Sequence, residues 1–238
     1  AALETVDLQS LTSTQIRALK TDQLVKLNAD QIVALSTAQV VSLTTGQIYA
    51  LTTDQIAAME NADLRSLTST QIRALKTDQL VKLSDDQISA MSTGQVAALT
   101  TAQLTALTTD QVVALTSGQS AAMTTAQISA LTTDQIAALE TVDLQSLTST
   151  QIRALKTEQL VRLSTDQIGS MSAGQVAALT TAQLTALTTG QVVALTSGQF
   201  AAITTAQISV LDIKDLRSLT STQIRALKTD QISKLSAD

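Results

Sequence analysis

The sequence predicts an all-α solenoid of about 29 short helices, one for each eight-residue repeat, wound around an apolar interior. Three observations predict it. A polar slot recurs every eight residues without insertion or deletion, two apolar slots follow it at fixed spacing, and cap-competent residues precede each polar slot. Stepping by eight from residue 7 to residue 231 visits 29 positions, of which 25 are Gln. The other four are Asp7, Asp63, Asp143 and Asp215. The slot after it (Leu8, Ile16, Leu24, Ile32, Val40 onward) is apolar in every unit except at Ser120. Three residues further on (Leu11, Leu19, Leu27, Leu35) the slot is Leu, Met or Ile throughout. The unit is Q-[ILV]-x-A-L-T-T-x, and a fixed period of this kind marks a repeat architecture.

A strict period of eight constrains the backbone. A continuous α-helix turns about 100° per residue, so eight residues overshoot two turns by about 80°. The apolar stripe would circle such a helix and could not stay on one buried face. In a strand, Ile and Leu alternate at odd separations and would point to opposite faces. Short helices separated by turns remain. The alternative is a β-solenoid, because Thr, Val and Ile are good strand residues.

The helix starts follow in order along the chain. Thr12 with Gln15, and Thr52 with Gln55, have the S/T-x-x-Q spacing of a capping box. The first cap slot is broken at Lys20, Glu60, Lys76, Glu140, Lys156 and Lys228, where the next residue is expected to cap: Thr21, Asn61, Thr77, Thr141, Thr157 and Thr229. Where the second slot is unsuitable (Ala29, Ala173, Ile213, Ala237), the first holds Asn28, Ser172, Asp212 or Ser236. Asp or Glu often precedes Gln, as at Asp22, Asp30, Asp54 and Glu158, which suits a helix N-terminus electrostatically. Each octapeptide thus carries its own helix start. Helices this short are unstable alone, so stacked neighbours must supply the stability.

The whole chain, 1–238, is expected to be a single tandem array carrying four near-identical basic cassettes at 3–27, 59–83, 139–163 and 211–235. Their starts differ by seven, ten and nine units, so the building block is the octapeptide and not a helix pair. All 15 Lys and Arg residues lie in these cassettes. Solvated faces account for them; the sharper expectation is contact with a neighbouring copy through Arg17, Lys20, Lys26, Arg73, Lys76, Lys82, Arg153, Lys156, Arg162, Arg225, Lys228 and Lys234.

Composition narrows the chemistry. There is no Cys, His, Pro or Trp, and 15% of residues are charged. The absence of Cys excludes disulfides and thiolate metal sites; the absence of His excludes imidazole ligands and the commonest general base. A net charge of −5 gives no general attraction to nucleic acid or to an anionic membrane. No apolar run approaches the roughly 20 residues of a membrane helix, and the opening AALETVDLQS is not a signal peptide. Single carboxylates such as Asp22 recur in one slot, where capping explains them, and Asp85–Asp86 is an isolated adjacent pair. Six of the seven Gly precede Gln; Gly169 is the exception. Ser120 and Phe200 fill the same Ile slot in TSGQSAAM and TSGQFAAI, a variation in core filling. The expectation is a protein with no cofactor, no metal and no catalytic residues, and not an enzyme.

Tandem QIAALTTDQ-like stretches, such as those at 55–58 and 131–138, resemble the repeat regions of large bacterial secreted or surface proteins of adhesin-like type. The resemblance implies an extracellular or cell-surface setting and an adhesive or structural role. Three functional classes follow from the residues: a structural spacer or stalk, a self-assembling filament element, and a Thr array binding carbohydrate or ice. The first two are favoured, because capping already accounts for the Thr.

Overall fold

The computed structural model describes residues 4–235 and forms 29 helices of four to six residues, with no strand among the described residues. The β-solenoid alternative is therefore not what forms. Ser236 and Ala237, expected to start a further unit, lie outside the described residues.

Most octapeptides fold on one plan. In a representative unit, Thr100 caps the helix Thr101–Ala106: Gln103 N donates to Thr100 Oγ1 (3.2 Å) and Thr100 N donates to Gln103 Oε1 (2.9 Å). Two orphan donors of the first turn are satisfied at once. The helix ends at Leu107, whose N–H bonds back to the Leu104 carbonyl (3.2 Å) while its own backbone turns extended (φ −58°, ψ 141°). The next residue, Thr108, is also extended (φ −68°, ψ 163°) and opens the following helix. Two consecutive extended residues redirect the chain. No residue among those described adopts positive φ, so no turn depends on glycine.

The shortest helices share one slot. The four-residue helices Thr21–Leu24, Thr77–Leu80, Thr157–Leu160, Thr205–Ile208 and Thr229–Ile232 carry Lys26, Lys82, Arg162, Val210 and Lys234 before the second apolar residue. The five- and six-residue helices have Ala or Ser there. Ala and Ser fit a close-packed last turn; a long or β-branched side chain there leaves it as a tighter turn, with Lys26 N bonding to Gln23 O and Leu27 N to Leu24 O.

The structure corrects one set of helix starts. At Lys20, Glu60, Lys76, Glu140, Lys156 and Lys228 the cap does not move one residue on; those residues are themselves the N-caps, and Thr21, Asn61, Thr77, Thr141, Thr157 and Thr229 are the first helical residues. In the Lys-capped units half the box survives: Lys20 N, for example, donates to Gln23 Oε1 (2.9 Å). That bond and the extended backbone hold the start in register although lysine has no acceptor to offer. Asn28, Ser172 and Asp212 cap as expected.

The chain forms two compact units, Ala1–Met123 and Thr124–Asp238. In the first, each helix packs on the helix three octapeptides further on: Ser13–Ala18 on Thr37–Ser42, Thr45–Ala50 on Ser69–Ala74, Thr93–Ala98 on Ser117–Ala122. The second repeats the rule, with Ser149–Ala154 on Ala173–Ala178 and Ala173–Ala178 on Ser197–Ala202. Each is a solenoid whose interior is the two apolar slots: Ile72, Leu104 and Val112 in the first and Ile152, Leu184 and Phe200 in the second are fully buried. Among the described residues, backbone–backbone hydrogen bonds outside the helices all span four residues or fewer. The turns are therefore joined by side chains.

Candidate functional site

The residues that join the turns are the slot glutamines. Gln103 is 3% exposed. Its Oε1 closes the capping box, and its Nε2 donates to the carbonyls of Ile72 (2.9 Å) and Leu75 (2.7 Å), four octapeptides back. One side chain thus caps its own helix and satisfies the C-terminal carbonyls of another. The Ile72 carbonyl also accepts from Leu75 N (3.2 Å), whereas the Leu75 carbonyl lies past the end of its helix with no backbone donor and buried unpaired would cost about 1–3 kcal/mol.

Equivalent bonds recur at every slot Gln from Gln39 to Gln119 in the first unit, beginning with Gln39 Nε2 to Leu8 O (2.7 Å) and Leu11 O (2.7 Å), with Gln87 reaching Ala57 O (3.0 Å) beside Met59 O (2.7 Å). In the second unit they run from Gln159, to Ile128 O (3.0 Å) and Leu131 O (2.7 Å), through Gln199, to Ile168 O (3.0 Å) and Met171 O (2.6 Å). Gln231 ends that series on the Phe200 and Ile203 carbonyls. The result is a ladder of amide rungs in each solenoid. A capping box accepts Glu as readily as Gln, but Glu has no N–H to give. No Glu occupies a slot, and that was the available signal for the ladder.

The basic residues lie outside the ladder. Arg17, Lys20, Lys26, Arg73, Lys82, Arg153, Lys156, Arg162, Arg225, Lys228 and Lys234 are exposed, and Lys76 is half-buried. Some of them brace the solenoid: Arg73 Nε donates to Ala98 O (3.1 Å) and Arg153 Nε to Ala178 O (3.0 Å), each three octapeptides on. Lys76 Nζ sits 5.4 Å from the Tyr49 ring centroid, within cation–π reach. Arg162 pairs with Asp134 (3.4 Å) and Lys156 with Glu158 (3.8 Å). All four of those side chains are more than half exposed, and such pairs contribute about 0–1 kcal/mol.

An open groove in the second unit is lined by Glu140, Thr141, Ser164, Asp166 and Gln167. Gln167 is a rung, donating to Ala137 O (3.2 Å) and Leu139 O (2.7 Å). Among the described residues no group of three or more His, Cys, Asp or Glu could hold a metal ion. Among the described residues no helix is long and apolar enough to cross a membrane.

The model of the ALTTAQ repeat matches the chain in overlapping segments from end to end: 1–37, 32–59, 56–93, 88–117, 114–141, 136–173, 166–197, 176–212 and 208–238. No curated protein matches it.

Proposed function

From the chain's membership of the ALTTAQ repeat family, we propose that it is a structural element: a spacer or stalk of a bacterial surface or secreted protein that associates with copies of itself and carries no catalysis. One observation supports this reading most. Each octapeptide contributes one short helix of four to six residues, and at 25 of 29 positions the same Gln, and the two slots after it are apolar everywhere except at Ser120. Length can change by whole octapeptides without altering any other unit. The unequal cassette spacings of seven, ten and nine units fit a part whose role tolerates such change. The exposed Arg and Lys of the cassettes are then candidate contacts between copies.

The test combines a deletion series with sedimentation and electron microscopy over a range of concentrations. Removing 84–107, three whole octapeptides between cassettes, should shorten the particle in proportion and leave it folded. Association that grows with concentration and weakens when Arg17, Lys20 and Lys26 are neutralised would support contact through the cassettes. A deletion variant that fails to fold, or a particle unchanged in dimension, would contradict the spacer reading.

A further inference from the structure

Two rungs of the ladder are replaced by carboxylates. Asp63 and Asp215 occupy the slot that elsewhere holds Gln and are 4% and 6% exposed. By the register of their neighbours, a Gln at 63 would donate to the carbonyls of Ile32 and Leu35, and one at 215 to those of Leu184 and Leu187. The flanking rungs show that register: Gln55 Nε2 donates to Leu24 O and Leu27 O, and Gln223 Nε2 to Leu195 O. An ionised carboxylate cannot make these bonds. Among the described residues no side chain donates to the Leu35 or Leu187 carbonyl. The bond runs the other way instead, with Thr37 Oγ1 donating to Asp63 Oδ1 (2.8 Å) and Thr189 Oγ1 to Asp215 Oδ1 (3.0 Å).

The Asp63 octapeptide is also weak at its helix start, and the Asp215 octapeptide has only half of a capping box. Asn61–Ser66 begins at Glu60, which makes no side-chain cap bond, and neither it nor Ile213–Ser218 closes a capping box. Two kinds of support are thus missing from the Asp63 unit, where its flanking units have both; the Asp215 unit lacks the rung and half of its box but keeps the bond from Asp215 N to Asp212 Oδ1 (2.7 Å).

We propose that the Asp63 and Asp215 octapeptides are built-in opening points, where the turns of each solenoid separate first while flanking turns stay zipped. In a repeat array each interface contributes its own term to stability, so a weak interface is not averaged away by strong ones. Opening begins where supporting interactions are fewest. The inference rests on the ladder and not on the spacer reading; an array that never self-associates would leave it standing. Each opening point also begins a basic cassette, Asp63 preceding Arg65 and Arg73, and Asp215 preceding Arg217 and Arg225. The joints and the candidate contacts between copies therefore coincide along the chain.

Native-state hydrogen exchange of the full chain, read by peptide mass spectrometry, tests this. Backbone amides of 29–35 and 61–67 should exchange about fivefold faster than those of 69–75 and 101–107, the factor set by loss of roughly one net hydrogen bond. Asp63→Gln should slow the fast segments to the rate of the continuous ladder, and Asp215→Gln should do the same for 181–187 and 213–219. The reciprocal change, Gln103→Asp, should create a new fast segment at 69–75. Uniform exchange along the first unit, or Asp63→Gln with no slowing, would overturn the proposal whatever the outcome at 103.

Discussion

The octapeptides TSGQSAAM at 116–123 and TSGQFAAI at 196–203 differ at two positions, and one difference puts Ser where the other has Phe. Both side chains are fully buried. The frame around them is the same: Gln119 Nε2 donates to Ile88 O (2.9 Å) and Met91 O (2.7 Å), and Gln199 Nε2 to Ile168 O (3.0 Å) and Met171 O (2.6 Å). Each helix is six residues long, capped by Thr116 or Thr196 with a closed box. A large change in core volume leaves rung, cap and helix length in place. Register is therefore set by the amide ladder and the caps, and the apolar slot supplies burial within it.

That conclusion can be broken at several points. The second apolar slot is common to both regions, and Leu115→Asp should cost more than about 4 kcal/mol by burying an unpaired charge; denaturant unfolding should show the neighbouring turns lost together. Phe200→Ala should cost about 3–5 kcal/mol through lost burial and a cavity, whereas Ser120→Ala should stay within about 1 kcal/mol. If register depends on the ladder, Gln119→Glu and Gln199→Glu should cost the same, about 2 kcal/mol each, despite the different cores. A loss confined to the Phe200 region would show the core setting the register instead. Thr116→Ala and Thr196→Ala should each cost about 1 kcal/mol, the usual value of a helix cap. The smallest effect separates two glycines. Gly190→Ala, where the nearest atom to an added Cβ is Thr188 Oγ1 at 3.9 Å, should gain about 0.5–1 kcal/mol from helix propensity. Gly169→Ala should gain less, because its Cβ would sit 3.2 Å from the Ala194 carbonyl oxygen.

Much of this fold is legible in the residues. The period of eight, the Ile and Leu slots and the Thr–Gln spacing lead to short capped helices around an apolar interior. Side-chain acceptors alone place the helix starts at Lys20 and Lys76 one residue too late. The Gln Oε1 and the extended Leu–Lys pair hold the start without one. The ladder itself escapes a reading from local spacing, since a capping box already accounts for Gln15 or Gln103. Its far end lies four octapeptides away, and only stacking brings Nε2 to the Leu75 carbonyl. The choice of Gln over Glu carried that information. The Asp slots at 63 and 215 look like ordinary first-turn acids until the missing donor is noticed. The basic cassettes are legible as a pattern, but Arg73 and Arg153 bracing the next turn depend on a contact three octapeptides distant.

The most direct test of the ladder replaces Gln87, Gln95 and Gln103 together with Glu and follows far-UV circular dichroism through denaturant unfolding. Glu keeps every capping box and the helix propensity of these positions while removing all three amide donors. The account predicts loss of the cooperative transition in the first unit, with a Ser84→Ala, Ser92→Ala, Thr100→Ala variant retaining it at a lower midpoint. A Glu variant that unfolds at the same midpoint as the parent chain would contradict the claim that glutamine amides join the turns.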